Sequence, residues 1–304
     1  MKRTLVALAA LVAGHAAALA QDYPTRAITL MVPFAAGGPT DTIARIVGES
    51  FSRTLKQPVL IENVAGAGGT TGSARASQAA ADGYTLLMGH MGTHGAAPAL
   101  YPALKYNPAK DFTPIGLVAG TPIVIVTRLD FPAKTLKDFI AYTKTNGAKV
   151  TEAHAGVGSV SHTTCTLFHS IAGTKTARLA YRGTGPALND LVAGQVDFGC
   201  DQIVNLVSQI EGGKVRALAI ATKQRSPALK DVPTTAEAGL PDFEVSAWNA
   251  LFAPKALPKA IQDKLADALD KALDSEPVRK RLLDLGSVLP TARIYAQFPY
   301  YNLM

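Results

Sequence analysis

The chain has 304 residues, of which 48% are hydrophobic and 17% are charged, and its formal net charge is +7. This composition predicts a globular protein of two modest domains and excludes a disordered or low-complexity chain. Positive and negative side chains are interspersed without forming a basic stripe, so we expect no nucleic-acid partner.

Residues 1–20 are typical of a secretory signal peptide. Lys2 and Arg3 form a charged start, residues 5–13 are apolar, and residues 18–20 form a small-x-small cleavage site. The apolar run is too short to cross a bilayer, and no later segment has the roughly 18 consecutive apolar residues that crossing requires. We therefore expect export to the bacterial periplasm, with a net charge of +5 (7 minus 2) after Lys2 and Arg3 are removed.

The first predicted elements form a strand, a glycine turn and a helix. An apolar run at 28–32 predicts a buried strand, and apolar residues at helical spacing predict a helix at 42–55. Gly37 and Gly38 lie in the turn between them. Backbone N–H groups at such a turn favour a bound anion, and glycine lets a ligand approach the backbone closely. We therefore expect an anion site in this turn.

The next part of the chain continues the alternation of strands and helices, which implies a parallel sheet with helices on both faces. Residues 89–116 are rich in Gly, Pro, His and Tyr and predict an irregular connection. The apolar run at 115–127 predicts strand material broken at Thr121-Pro122, where we expect the chain to cross between domains. The other elements predicted here are strands at 58–62 and 84–88 and a helix at 73–81.

A second alternating set follows, and a strand at 215–222 would return the chain to the first domain. The pattern predicts an α/β fold with a discontinuous domain 1, residues 21–121 plus 223–304, and a domain 2, residues 122–222. Predicted helices lie at 136–145, 160–172, 185–193, 203–211, 258–273 and 277–285, and predicted strands at 149–154, 176–181 and 196–200, with an apolar segment at 248–252.

Residues 156–162 form a second glycine-serine turn at the end of a predicted strand. In open parallel sheets, ligands bind beyond the carboxyl ends of the strands. We therefore expect the two glycine turns to face each other across a cleft between hinged domains.

From Tyr23 to Pro290 the chain resembles the solute-binding receptors of the tripartite tricarboxylate transporters, the Bug or TctC-like family. Each matching motif is weak alone, but seven of them occur in the family's order. They lie at residues 23–41, 62–69, 82–86, 106–112, 158–162, 181–191 and 194–197.

The resemblance implies a two-domain periplasmic binding protein clamshell, type II-like, with parallel-rich sheets and crossing strands. It also implies a monomer without cofactor, metal or catalysis, which binds a small carboxylate and delivers it to membrane permease subunits. In the family, two loops hold a ligand carboxyl group through backbone amides and ordered waters, and they correspond to residues 34–41 and 156–162.

The predicted ligand-binding residues lie mostly in these two loops. Asp41 has two alternatives, a contact with the ligand or capping of the first helix. The residues are Phe34, Ala36, Gly37, Gly38, Thr40 and Asp41 in the first loop, Gly158, Ser159 and His162 in the second, and His94, Tyr181 and Arg182 as further lining residues.

An exported hydrolase of small carboxylate esters is the alternative function. Ser159 beside His162 would supply a nucleophile and a base. No Gly-x-Ser-x-Gly elbow surrounds Ser159, however, and its position is better suited to a helix N-cap.

Other motifs predict no cofactor or metal. The run at 66–72 carries Thr71 where a dinucleotide-binding motif needs its third glycine, and no His-Glu-x-x-His pattern occurs. Cys165 and Cys200 lie in different predicted elements, so either a disulfide or two buried thiols is compatible with the sequence. Residues 291–304 depart from the C-terminal helix of the resembling family, and we expect a frameshift or a truncation there.

Overall fold

The computed structural model describes residues 23–290 of the chain. The predicted signal peptide and the atypical segment 291–304 lie outside the described residues. No helix within residues 23–290 is both long enough and apolar enough to cross a membrane.

Nine strands within the described range form one mixed sheet. Its order is β2-β1-β3-β9-β4-β7-β5-β6, with β8 paired to β4. The strands are β1 (Ile28–Val32), β2 (Val59–Asn63), β3 (Thr85–His90), β4 (Phe112–Arg128), β5 (Thr151–His154), β6 (Ala177–Ala180), β7 (Phe198–Gln202), β8 (Val215–Ile220) and β9 (Ser246–Pro254).

The helices cover the sheet and agree with the predicted ones to within a few residues. The predicted helix at 203–211 is divided into a 3-10 turn, Ile203–Asn205, and a short α-helix. The π-helical turn Gly92–Ala96 lies in the connection predicted to be irregular. The α-helices are α1 (Pro39–Leu55), α2 (Thr70–Ser77), α3 (Ala97–Leu100), α4 (Leu136–Asn146), α5 (Val160–Ala172), α6 (Thr184–Val192), α7 (Val207–Glu211), α8 (Lys259–Asp274) and α9 (Glu276–Asp284).

Strand β4 joins the two halves of the sheet. Its residues 112–122 pair with β9, and its residues 123–128 pair with β7 and β8. The partner changes between Pro122, opposite Ser246, and Ile123, opposite Gln202. The predicted break at Thr121-Pro122 is therefore wrong, because a proline without an N–H is accommodated where the strand changes partner.

This change of partner divides the molecule into two lobes. We call residues 23–121 and 246–290 the first lobe and residues 122–245 the second lobe. Residues 223–245 belong to the second lobe by their hydrogen bonds to the end of β8, since Ile220 N–H donates to Pro233 O at 2.9 Å and Val245 N–H donates to Ala221 O at 3.1 Å. The predicted limits of independent domains stay a prediction.

Each lobe has an apolar core. In the first lobe α1 packs against β1 and β3 and α8 packs against α1 and β4, with Phe51 and Leu265 fully buried. In the second lobe Phe139, Phe168 and Phe198 pack together between α4, α5 and β7. Burial of each large side chain contributes about 1.5–3 kcal/mol, and the two cores therefore make both lobes firm supports for the loops between them.

Candidate functional site

A small cavity lies where the two lobes meet. Its volume is about 10 Å³, which is enough to hold about one water molecule. The cavity is lined by Phe34, Gly38, Pro39, Thr40, Asp41 and His90 from the first lobe and by Ala155, Ser159, Val160, Ser161, Thr184, Asp201 and Gln202 from the second.

The N-terminus of α1 forms one wall of this cavity. Gly38 is the N-cap and has no side chain to cap the helix, and Pro39 has no N–H to donate. The backbone N–H groups of Gly38, Thr40 and Asp41 have no acceptor among residues 23–290. These N–H groups are the positive end of the helix dipole, so this wall attracts anions.

Asp41 holds the loop in front of α1 in place. Its Oδ2 accepts from Gly37 N–H at 3.0 Å, and its two oxygens accept from Arg45 at 2.9 and 3.0 Å. Asn63 Nδ2 donates to Oδ1 at 2.9 Å. Burial acts to raise the pKa of Asp41, but the hydrogen bonds from Arg45, Gly37 and Asn63 outweigh it and lower that pKa. Gly38, and not Asp41, is the N-cap of α1, so Asp41 supports the loop instead of capping the helix, and its contact with a ligand stays a prediction.

The N-terminus of α5 forms the opposite wall. Ser159 is its N-cap, and the Ser159 hydroxyl accepts from His162 N–H at 3.3 Å. Ser161 Oγ accepts from Ala155 N–H at 3.0 Å. The N–H groups of Val160 and Ser161 have no acceptor in the described part of the chain. A second helix therefore points its positive end at the cavity.

The N-terminus of α6 lies beside the first loop. Thr184, the first residue of α6, lines the cavity. A Cβ on Gly185 would lie 2.4 Å from Ala36 O, so only glycine permits this approach of the two backbones. Ala35 N–H donates to Arg182 O at 3.1 Å and joins the lobes at the same place. Three helix N-termini thus converge on one cavity.

Buried polar side chains connect the two lobes below the loops. Thr40 Oγ1 donates to Asn249 Oδ1 at 3.2 Å, and Asn249 Nδ2 donates to Gln202 Oε1 at 3.0 Å. Thr121 Oγ1 donates to the same oxygen at 2.7 Å. This series of hydrogen bonds runs from α1 through β9 to β7 and β4, so it links the first loop to the strand that passes between the lobes.

His90 adds a donor to the first-lobe wall. Its ring stacks on Phe34 with centroids 4.8 Å apart, and its Nδ1 accepts from the N–H groups of Gly92 and Thr93 at 2.9 and 3.3 Å. Burial lowers the pKa of His90 to about 4, so the ring is neutral at pH 7. Because Nδ1 accepts, the proton of the neutral ring is on Nε2, which is a donor.

Asp201 is the second carboxyl group of the cavity lining. Its Oδ1 accepts from the N–H of Gln202 at 2.8 Å, whereas its Oδ2 is buried without a hydrogen-bond partner among the described residues. Burial raises the pKa of Asp201 to about 7, although Gln202 N–H and the nearby amide of Asn205 act to lower it. The Asn205 amide makes no hydrogen bond of good geometry to this carboxyl.

A disulfide between Cys165 and Cys200 ties α5 to β7, with the two Cα atoms 5.2 Å apart. Cys200 directly precedes Asp201, and Cys165 lies on the helix whose N-terminus faces the cavity. The sequence left open whether Cys165 and Cys200 form a disulfide or stay as buried thiols. In the structure they form a disulfide, which lies behind the second-lobe wall.

The structure brings five of the predicted site residues into the cavity lining, namely Phe34, Gly38, Thr40, Asp41 and Ser159. The others support the loops or lie elsewhere. Their role in binding stays a prediction. Ala36 and Gly37 adjoin Gly185, Gly158 N–H donates to His162 Nδ1 at 3.3 Å, the Tyr181 hydroxyl donates to Asp190 Oδ2 at 2.6 Å, and Arg182 O accepts from Ala35 N–H.

His94 lies outside the cavity lining. It stacks on Phe252 with ring centroids 3.9 Å apart and is buried against Phe112. Burial lowers its pKa to about 3. His94 therefore belongs to an aromatic cluster of the first lobe.

Sequence reasoning did not assign His90, Thr184, Asp201 or Gln202 to the site. The available signal was their position, because His90, Asp201 and Gln202 end strands β3 and β7, at the edge of the sheet where ligands bind.

The histidines and acids of the described range do not form a metal cluster, since no group of three His, Cys, Asp or Glu side chains there could hold an ion. The hydrolase alternative is not supported. The Ser159 hydroxyl meets the backbone N–H of His162, and the ring Nδ1 of His162 accepts from Gly158 instead of activating a nucleophile.

Two α/β lobes, one strand, β4, that passes between them and a cavity at the lobe boundary define a two-lobed solute-binding protein. The model of the tripartite tricarboxylate transporter family receptor matches residues 43–298. The chain belongs to this family of receptors.

Named relatives agree with this assignment. A UPF0065 protein of Agrobacterium vitis is 48% identical over 272 residues, which are 89% of this chain and 78% of the relative. MatC from Rhodopseudomonas palustris, solved with bound malate, is 49% identical with a TM-score of 0.86 over 88% of this chain and 92% of MatC. The periplasmic binding protein BugD is 42% identical with a TM-score of 0.86 over 89% of this chain and 90% of BugD.

Proposed function

We propose that this receptor binds a small carboxylate in the periplasm and delivers it to the membrane permease of a tripartite transporter. The observation that carries the proposal is the convergence of the N-termini of α1, α5 and α6 on one cavity between the lobes. Each helix N-terminus has a partial positive charge of roughly half an elementary charge, so three of them strongly favour an anion.

The donors of the cavity suit a carboxylate. Backbone N–H groups of Gly38, Thr40, Val160 and Ser161 are free to donate, and a carboxylate has about four lone-pair positions to accept them. No Lys or Arg side chain appears among the residues that line the cavity within the described range. The amides therefore supply the attraction, and Arg45 serves to neutralise Asp41. The malate bound by MatC, a relative with the same fold, supports this choice of ligand.

Binding requires the lobes to separate and close again. A cavity of about 10 Å³ is far below the few hundred Å³ of typical small-molecule sites, so a ligand enters only when the lobes move apart. We infer that the hinge lies where the chain passes from one lobe to the other, near Pro122 and Ser246. The closed and open shapes would then report the bound ligand to the permease.

The remaining parts of the proposal come from family membership. The receptor acts as a monomer without catalysis or cofactor, after export through the predicted signal peptide at residues 1–20. The periplasmic description of BugD supports this location.

A thermal-shift screen of the mature chain with aliphatic and aromatic acids tests the function. We expect one or a few small di- or hydroxycarboxylates to raise the melting temperature through preferential binding to the folded state. At about 100-fold excess over Kd the free energy of unfolding should rise by about 2.7 kcal/mol. The same acids as methyl esters provide the control for turnover. No stabilisation by any free acid, or release of acid from an ester, would contradict the proposal.

A further inference from the structure

Asp201 differs from the other carboxyl group of the cavity lining. Asp41 is ionised against Arg45, and both of its oxygens are hydrogen-bonded. Asp201 is 5% exposed, and its Oδ2 has no hydrogen-bond partner among the described residues. A buried carboxyl oxygen without a partner is costly, and Asp201 lines the cavity that the proposed ligand would fill. The nearby Asn205 amide acts to lower the pKa of Asp201, but neither its nitrogen nor its oxygen has a hydrogen-bond partner among the described residues.

Within residues 23–290, no Lys or Arg lines the cavity beside Asp201. Strand β4 places Val124 opposite it, β5 ends beside it at His154 and Ala155, and β3 contributes His90 to the same cavity. The first loop contributes Asp41. Burial lowers the pKa of both His90 and His154, so both rings are neutral above about pH 7.

A bound carboxylate would place a second acid group close to Asp201. Two carboxylates that share one small site cannot both be ionised, because their repulsion raises one pKa strongly. The pKa of Asp201 is already raised to about 7 by burial. An anion in the cavity raises it further, so the complex holds a proton between Asp201 and the ligand.

We propose that Asp201 is a specificity-determining residue that binds the ligand as a neutral carboxylic acid, with Oδ2–H donating a hydrogen bond to a ligand oxygen. This inference rests on the proposed function, and it adds a donor beyond the backbone amides. The site thereby prefers acids that carry a further acceptor oxygen, such as a hydroxyl or a second carboxyl group.

Proton linkage tests the inference on the unmodified protein. Titration calorimetry with L-malate and succinate in two buffers of different ionisation enthalpy gives the number of protons bound with the ligand. Above pH 7 we expect uptake approaching one proton per ligand. The affinity should fall about tenfold for each pH unit between about pH 7.5 and about pH 9, where these dicarboxylates are fully ionised.

Asp201→Asn provides the second readout, because the amide has a donor that does not titrate. We expect this variant to bind at all pH values within a few-fold of the wild-type affinity at pH 6.5, without proton uptake. Asp242→Asn removes an exposed carboxyl far from the cavity and should keep the wild-type pH profile.

Three results would overturn the inference while leaving the proposed function intact. They are binding without proton uptake, proton release with affinity rising at high pH, and an unchanged pH profile in Asp201→Asn. If no acid binds at any pH, the proposed function fails and this inference fails with it.

Discussion

The two walls of the cavity present the same kind of group, a helix N-terminus, but they are held by different interactions. On the first wall Gly38 cannot cap α1, and the loop depends on Asp41, Arg45 and Asn63. On the second wall the hydroxyl of Ser159 caps α5, and a disulfide anchors the helix from behind.

The difference shows how an anion-binding wall can be held in place by a carboxylate of the protein itself, Asp41. Gly185 allows the backbone at Ala36 to approach closely, and the loop in front of α1, which has no capping side chain at Gly38, is held by an acid in the first turn of the helix. The acid is acceptable beside an anion site only because Arg45 neutralises it. The second wall needs no charge, because a serine N-cap accepts a hydrogen bond from His162 N–H without one.

Lowering the pH is the most severe test of the comparison between the two walls. Burial lowers the pKa of His90 to about 4 and that of His94 to about 3, from an ordinary value of 6.5. The unfolded chain binds protons below pH 6.5 that the folded first lobe rejects. The contribution of these two histidines to stability is therefore complete above pH 6.5 and is lost towards pH 4, by several kcal/mol. The raised pKa of Asp201 acts in the opposite direction, because the folded chain binds a proton there between about pH 7 and about pH 4 that the unfolded chain does not. Urea unfolding at pH 7 and at about pH 4.5 measures the loss.

His90→Gln should reduce the slope of stability against pH, whereas His162→Gln on the second wall should retain most of it, because His162 is only partly buried. An unchanged pH dependence of stability in His90→Gln would contradict the assignment of His90 as a neutral buried group.

Removal of the disulfide by Cys165→Ala with Cys200→Ala tests the anchor of the second wall. The crosslink closes a loop with a sequence separation of 35 residues, for which loop-closure entropy predicts a loss of about 3–4 kcal/mol. A reductant should also lower the free energy of urea unfolding of the wild type, because it breaks the same crosslink. The double variant has no crosslink, so its free energy of unfolding should not respond to the reductant. An oxidised wild type as unstable as the reduced protein would contradict the prediction.

Arg45→Ala tests the charged support of the first wall. It leaves the buried carboxyl of Asp41 without its cation, so we expect a loss of about 1–3 kcal/mol in stability and at least a tenfold loss of carboxylate affinity. Arg53→Ala breaks an exposed pair with Glu49 on the same helix and should cost about 0.3–0.5 kcal/mol with unchanged affinity. Equal effects of the two variants on affinity would remove the special role of Arg45.

Ser159→Ala tests the neutral support of the second wall and has the smallest expected effect, about 1 kcal/mol in stability. Thr135→Ala removes a comparable N-cap from α4, where the Thr135 hydroxyl accepts from Asp138 N–H at 3.1 Å, far from the cavity. Both variants should lose similar stability, but only Ser159→Ala should weaken ligand binding, by a few-fold in calorimetric titration. An affinity loss in Thr135→Ala would show that global stability, and not the cavity wall, sets the affinity.

The local sequence pattern, that is, apolar periodicity and the positions of glycine and serine, determined the strands, the helices and the two cavity loops. The strand, the glycine turn and the helix from Ile28 to Leu55 follow from apolar periodicity and from Gly37 and Gly38, whose properties act within a few residues. The family assignment followed from the same short motifs. Ser159 was recognised as an N-cap for the same local reason.

Only the tertiary structure decided how these parts meet. The pairing of Cys165 with Cys200, the placement of His90 and Asp201 on one cavity, and the departure of His94 into an aromatic cluster all depend on contacts between residues far apart in the chain. Strand β4 passes through Pro122 without a break because partners on either side, not local propensity, hold it. Hydrogen-bond partners and burial set the charge of Asp41 and Asp201, and both are properties of the packed lobes.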